Sequence, residues 1–174
     1  IDSKVRRTRD RPITSGKIAP KSALVLFVAL CLVAFALVLT MNTLTIAMSF
    51  VAAFLAGTYP FMKRYTYLPQ VYLGAAFGWA IPMVFTATSE TLPPEAWLLF
   101  VANIFWTTAY DTMYAMVDRP DDLKIGVKST AILFGDADRL IIGVLQLMML
   151  FCLLMLGQQL NLSFWYFAGI AVAT

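Results

Sequence analysis

The chain has 174 residues, of which 60% are hydrophobic and 13% charged, and a formal net charge of +3. A soluble domain carries about 45–50% apolar and about 25% charged residues, so the composition excludes an ordinary water-soluble globule and points to an integral membrane protein. With no histidine and two cysteines, the chain has no imidazole base, no imidazole metal ligand and too few thiols for a zinc site.

The leading segment, KVRRTRDRPITSGKIAPK, is basic, and too long and too charged for the n-region of a signal peptide. A membrane-spanning helix needs about 20 mostly apolar residues. Five runs meet this: Ser22 to Met41, Leu44 to Met62, Leu68 to Thr88, Ala96 to Val117 and Leu140 to Leu156. A sixth opens at Ser163. The runs are continuous and lack period-two alternation, which argues against a β-barrel. The expected fold class is all-α, a polytopic transmembrane helical bundle forming a single domain over residues 1–174. The chain starts without methionine and ends within an apolar run, so it reads as truncated at both ends, with further spans on each side.

Smaller features fit such a bundle. Cys31 and Cys152 lie in apolar runs and read as small buried hydrophobes. Gly74 and Gly78 have the small-x-x-x-small spacing that lets helices approach closely. Asn103, in the middle of the fourth run, reads as an interhelical hydrogen-bond partner.

Charge gives the orientation. Lys4, Arg6, Arg7, Arg9, Arg11, Lys17 and Lys21 precede the first run, Lys63 and Arg64 follow the second, and Arg119, Lys124, Lys128 and Arg139 lie between the fourth and fifth. These are all thirteen lysines and arginines, and the alternate connections hold none. The positive-inside rule makes the basic side cytoplasmic, or the matrix side in a mitochondrion. Asp2, Asp10, Asp111, Asp118, Asp121, Asp122, Asp136 and Asp138 gather near the same side; only Glu90 and Glu95 fall on the other.

Carboxylates are costly at a membrane, so the stretch YDTMYAMVDRPDDLKIGVKST calls for an explanation. If the fourth helix continues into this connection, Asp111 to Asp118 turns about 700° and Asp118 to Asp122 about 400°. The three side chains then form a fan about 40° wide, with Asp111 deepest. Pro120 makes Asp122 its least secure member. Asp121 points about 80° away from Asp111 and reads as a solvated or ion-paired helix end. Like charges stacked on one face need a cation, and Mg²⁺ suits one or two carboxylates plus substrate phosphates. The fork of Arg64 matches phosphate or carboxylate, and Arg7 with Arg11, and Lys124 with Lys128, are each spaced i, i+4. Carboxylates and cations at one face of apolar helices suit a metal-bound lipid diphosphate.

The stretches DSKVRRTRDRPITSG, YPFMKRYTYLPQVYLGAAFGWAIPM and YDTMYAMVDRPDDLKIGVKSTAILFG resemble the UbiA-type family of membrane aromatic prenyltransferases, most of all its members acting on 4-hydroxybenzoate in ubiquinone biosynthesis. The resemblance covers Asp2 to Gly135. It implies nine spans in a complete member, of which this chain carries the third to the seventh and part of the eighth. It also implies two Asp-rich motifs that bind Mg²⁺ and polyprenyl diphosphate. Asp2 matches the last aspartate of the first motif, Asn-Asp-x-x-Asp-x-x-x-Asp, whose other members would precede Ile1. Asp118 and Asp122 match the second, Asp-x-x-x-Asp, with Asp111 upstream, and Arg64 matches a substrate-binding arginine. The implied metal ligands are therefore Asp2, Asp118 and Asp122. Asp118, Asp122 and Arg64 are the expected catalytic residues, and Arg64, Arg7, Arg11, Lys124, Lys128 and Asp111 the expected substrate-binding ones.

The implied reaction is departure of diphosphate, leaving an allylic cation, and attack on it by the ring carbon ortho to the hydroxyl of 4-hydroxybenzoate. The expected location is the bacterial inner membrane with the active face cytoplasmic, and no nucleic acid is an expected partner. With half the metal site ahead of Ile1, residues 1–174 alone are expected to be inactive. The alternatives are a relative with another acceptor (a dihydroxynaphthoate, homogentisate or haem) and a divalent-cation transporter. A transporter should carry ionisable groups near the bilayer midplane, whereas here they crowd one face.

Overall fold

The computed structural model describes residue 8 and residues 10–173. Asp2 and Arg7, expected as metal ligand and substrate-binding residue, lie outside the described residues. The helices are α1 (Pro20–Val38), α2 (Thr43–Tyr65), α3 (Pro69–Gly78), α4 (Ala80–Ser89), α5 (Pro94–Ile125), α6 (Thr130–Phe134), α7 (Asp138–Gln159) and α8 (Phe164–Ala173), with a 3₁₀ turn over Gly135–Ala137 before α7. The fold is all-helical, and the described residues contain no strand.

Local chemistry sets the boundaries. Asn42 caps α2, its side chain accepting the Thr45 N–H at 2.9 Å. Prolines open α1, α3 and α5 at their first turns, where the missing N–H would have had no helical partner. Gly126 ends α5 at φ 68°, a left-handed cap that glycine adopts without a Cβ clash.

Among the described residues, four helical stretches have the length and apolarity to cross a membrane: Pro20–Val38, Thr43–Tyr65, Pro69–Ser89 and Thr130–Gln159. Three expectations are modified. The third run holds as a span over Pro69–Ser89, but its hydrogen-bond ladder is interrupted at Trp79, between α3 and α4, because Pro82 has no N–H to offer the Gly78 carbonyl. The fourth run is part of a longer helix, the 32-residue α5, which is not among the four stretches apolar enough to span. Finally, Cys31 is exposed while Cys152 is buried, since α1 buries none of its residues.

Helix α5 is the hub, packing most extensively against α7 and α3. Its buried positions are mostly small, including Ala96, Ala102, Thr107, Thr108, Ala109, Thr112 and Ala115. The facing glycines of α3 bring the backbones together. A Cβ on Gly74 would stand 3.0 Å from Ile104 Cα and 3.2 Å from the Ile104 carbonyl oxygen. Gly78 lies against the Asn103 amide and Phe100. Asn103 Nδ2 donates to the Gly74 carbonyl at 3.3 Å, the interhelical bond expected of it. At the non-basic end, Asn42 Nδ2 donates to the Thr86 carbonyl at 2.7 Å and the Thr45 hydroxyl to Thr86 Oγ1 at 3.0 Å, tying α2 to α4.

Candidate functional site

Helix α5 runs through Pro120 to Ile125 without interruption, so the helical phase drawn for its carboxylates applies. Asp111, Asp118 and Asp122 share one face, with Asp118 about 10 Å along the axis from Asp111 and Asp122 about 6 Å further. Asp122 is buried at 3% exposure, and Asp111 and Asp118 are half-buried. Arg119, one position round the helix, forms an ion pair with Asp138 at the start of α7, and also reaches the Gly135 carbonyl at 3.5 Å.

Asp111 opens into a cleft of about 300 Å³ lined by Arg11, Tyr59, Lys63, Tyr110, Asp111 and Tyr114. The Tyr110 hydroxyl donates to Tyr114 Oη at 3.2 Å. Two cations and three phenols around one carboxylate offer charge and O–H donors suited to an oxyanion. Arg11 and Asp111, both singled out in the sequence, therefore meet here.

Arg64 is exposed and does not line this cleft; its neighbour Lys63 does. Lys63 and Tyr59 are the residues that sequence reasoning missed. The signal was their i, i+4 spacing in YPFMK, which puts both on one face of α2. Lys124 lies about 120° from Asp118 and about 160° from Asp122 round the helix. Its ammonium pairs instead with Asp121 at 3.6 Å, the local ion pair favoured for Asp121. Lys128 lies in the connection after α5, where Nζ donates to the Tyr65 carbonyl at 3.3 Å and stands 5.3 Å from the centre of the Tyr67 ring. The structure thus gathers Arg11 and Asp111 in the cleft, sets Asp118 and Asp122 beyond it on the same face, and keeps Arg64, Lys124 and Lys128 outside the cleft lining.

No cluster of three potential metal-ligating side chains forms among the described residues. Asp118 and Asp122 still suit a hard divalent cation: they are one turn apart on one face, offer only oxygen, and lie on the same face as a cleft able to receive phosphate.

The comparisons agree with this reading of the fold. A family model described as the UbiA prenyltransferase family matches residues 1–174. The chain is 62% identical over 173 residues to a 4-hydroxybenzoate octaprenyltransferase from Ectopseudomonas mendocina, covering 99% of this chain and 58% of that protein. It is 64% identical over 173 residues to a protein of the same description from Sodalis glossinidius, covering 99% of this chain and 60% of that protein. The chain thus spans less than two thirds of the length of these curated relatives. Among solved structures, the apo structure of a UbiA homolog from Aeropyrum pernix K1 superposes with a TM-score of 0.87 at 23% identity, covering 98% of this chain and 66% of that one; at that identity the likeness speaks for the fold. With the helical architecture, the ordered motifs and a match along the whole sequence, the chain belongs to the UbiA prenyltransferase family.

Proposed function

We propose that the complete protein transfers a polyprenyl group from polyprenyl diphosphate to the ring carbon ortho to the hydroxyl of 4-hydroxybenzoate. The observation that carries this is the unbroken run of α5 to Ile125, which aligns Asp118 and Asp122 with Asp111 and its basic, phenol-lined cleft. The descriptions of relatives at about 60% identity support the choice of acceptor. The reaction is proposed to occur at the cytoplasmic face of a bacterial inner membrane, where the lysines and arginines concentrate.

In this reading Asp118 and Asp122, with Asp2 from the first motif, hold Mg²⁺. When bound, the metal supplies Lewis-acid neutralisation of the charge that builds on the departing diphosphate. Arg11 and Lys63 add fixed positive charge, and the phenols of Tyr59, Tyr110 and Tyr114 offer donors to phosphate oxygens. The allylic C–O bond breaks with its electron pair going to the diphosphate. The phenol-activated ring carbon then forms the new C–C bond, and loss of its proton restores aromaticity. No covalent enzyme nucleophile takes part. The apolar helices keep water from the cation.

The test is product formation by the complete protein, assayed with and without Mg²⁺ and with 4-hydroxybenzoate against dihydroxynaphthoate, homogentisate and haem. Prenylated 4-hydroxybenzoate formed only with Mg²⁺ is the expected result. Preference for another acceptor would overturn the substrate, and metal-independent turnover would overturn the role of the carboxylates.

A further inference from the structure

Gln70, in the first turn of α3, is completely buried. Its Oε1 accepts the Thr130 N–H at 3.0 Å, joining the start of α3 to the start of α6 across 60 residues of sequence. Its Nε2 is buried and has no hydrogen-bond partner among the described residues. An unpaired buried donor costs about 1–3 kcal/mol, and it is tolerated here because the same side chain pairs the buried Thr130 N–H, which an apolar residue would leave unpaired.

The bond it makes lies in a set of ties that cap α5, join it to α6 and fasten the α5–α6 connection to the end of α2 and the start of α3. The Val127 N–H donates to the Asp122 carbonyl at 3.0 Å and the Lys128 N–H to the Lys63 carbonyl at 3.0 Å. Lys128 Nζ reaches the Tyr65 carbonyl. Behind Thr130, its hydroxyl pairs with that of Thr112 at 2.7 Å, and Thr112 donates back to the Thr108 carbonyl at 2.6 Å. Two of the residues whose backbones are tied, Lys63 and Asp122, also carry side chains of the proposed site. The ties thus fix the buried end of the carboxylate pair relative to the cationic wall of the cleft.

We propose that Gln70 is a positioning residue: by holding the Thr130 N–H it sets the α5–α6 connection, and with it the placement of Asp118 and Asp122 beyond the cleft on the same face of α5. The proposal rests on the Mg²⁺–diphosphate reading above. Its physical basis is that metal ligands tolerate little displacement, since a shift of about 1 Å can cost about 100-fold in rate.

The experiment uses the complete protein and attacks the bond from both ends. Gln70→Met keeps the length and removes the acceptor. Thr130→Pro removes the donor at the first position of α6, where proline is well tolerated, and Ser129 before it already has the extended φ −152° and ψ 161° that proline requires. Thr130→Val, which keeps the N–H but loses the hydroxyl, is the control. Gln70→Met and Thr130→Pro should each lower turnover about tenfold, in line with a sub-ångström displacement, and raise the Mg²⁺ concentration needed for half-maximal rate. In metal-free protein, both should speed hydrogen exchange at the amides of Val127 and Lys128. The double variant should be no worse than either single one, because both delete the same bond. Normal Mg²⁺ response and normal exchange in Gln70→Met, or additive losses in the double variant, would overturn the proposal. If Gln70→Met does not fold, Thr130→Pro against Thr130→Val decides. If the parent protein turns over without Mg²⁺, the reading of the metal site fails, and the exchange data still decide whether Gln70 holds the connection.

Discussion

Helices α1 and α5 invert the rule that holds in water. Pro20–Val38 reaches a hydropathy of 2.6 and has none of its span buried, whereas α5 carries Asn103, three threonines and several carboxylates and packs most extensively against the other helices. In a soluble domain the apolar helix would be the core. In lipid no hydrophobic force draws helices together, because the surrounding chains are as apolar as leucine. What earns a central position is a surface of small residues that permits close approach, with polar groups that find partners across helices. Within these 174 residues, α1 offers an apolar surface of the kind that lipid or another helix can cover, and α5 packs centrally through its small and hydrogen-bonding side chains.

The comparison can be broken most sharply at the charged end of α5. Asp118→Asn or Asp122→Asn in the complete protein should cut Mg²⁺-dependent prenylation by about 100-fold or more, as loss of a transition-state charge partner typically does. Asp121→Asn, which removes a surface ion pair with Lys124, should stay near normal. Melting temperatures in metal-free buffer should not fall for the first two variants. Near-normal turnover in both would remove the reason given for charges on this helix.

A smaller effect is expected where α2 meets the cleft. Lys63→Ala should raise the KM for polyprenyl diphosphate about tenfold, since a charge-assisted hydrogen bond contributes about 1.5–3 kcal/mol. Arg64→Ala should also weaken prenylation, with Arg64→Lys recovering only part because lysine lacks the paired donors. Steady-state kinetics on the three variants ranks the two neighbours. Full recovery by lysine would show that charge alone matters at that position.

Packing gives the next test. Gly74→Val on α3 must push against the Ile104 backbone, where even a Cβ would come to 3.0 Å, and should destabilise by about 1–3 kcal/mol. Leu30→Ala on α1 removes a side chain 60% exposed and should change stability by no more than about 0.5 kcal/mol. Unfolding in detergent measures both. Equal losses would mean that α1 is as tightly held as α5.

Legibility in the sequence followed the range of the interactions. Most span positions were readable because bilayer thickness imposes a length, and the stacking of Asp118 over Asp122 because one turn of a continuous helix separates them. The break at Trp79 was not drawn, although Pro82 supplies its cause. Lys63 and Tyr59 have the same one-turn spacing as the aspartates, but a lysine at a helix end is also what orientation in the membrane demands, and that explanation hid the cleft. The partnership of Gln70 with Thr130 has no local signature at all: it depends on two connections meeting in space. The close approach at Gly74 was readable as a spacing, but its partner Ile104 was not.

Each of the two side-chain pairs at the site brackets a proline. Tyr59 and Lys63 flank Pro60, and Asp118 and Asp122 flank Pro120, both prolines lying inside continuous helices. Each removes the N–H that the carbonyl one turn earlier would have received, at Ala56 and at Met116. The last turns of α2 and α5 are therefore each short of one hydrogen bond in the helical ladder. With one rung of each ladder missing, the backbone ties from Lys128 to Lys63 and from Thr130 to Gln70 take over part of the task of holding these two ends in register.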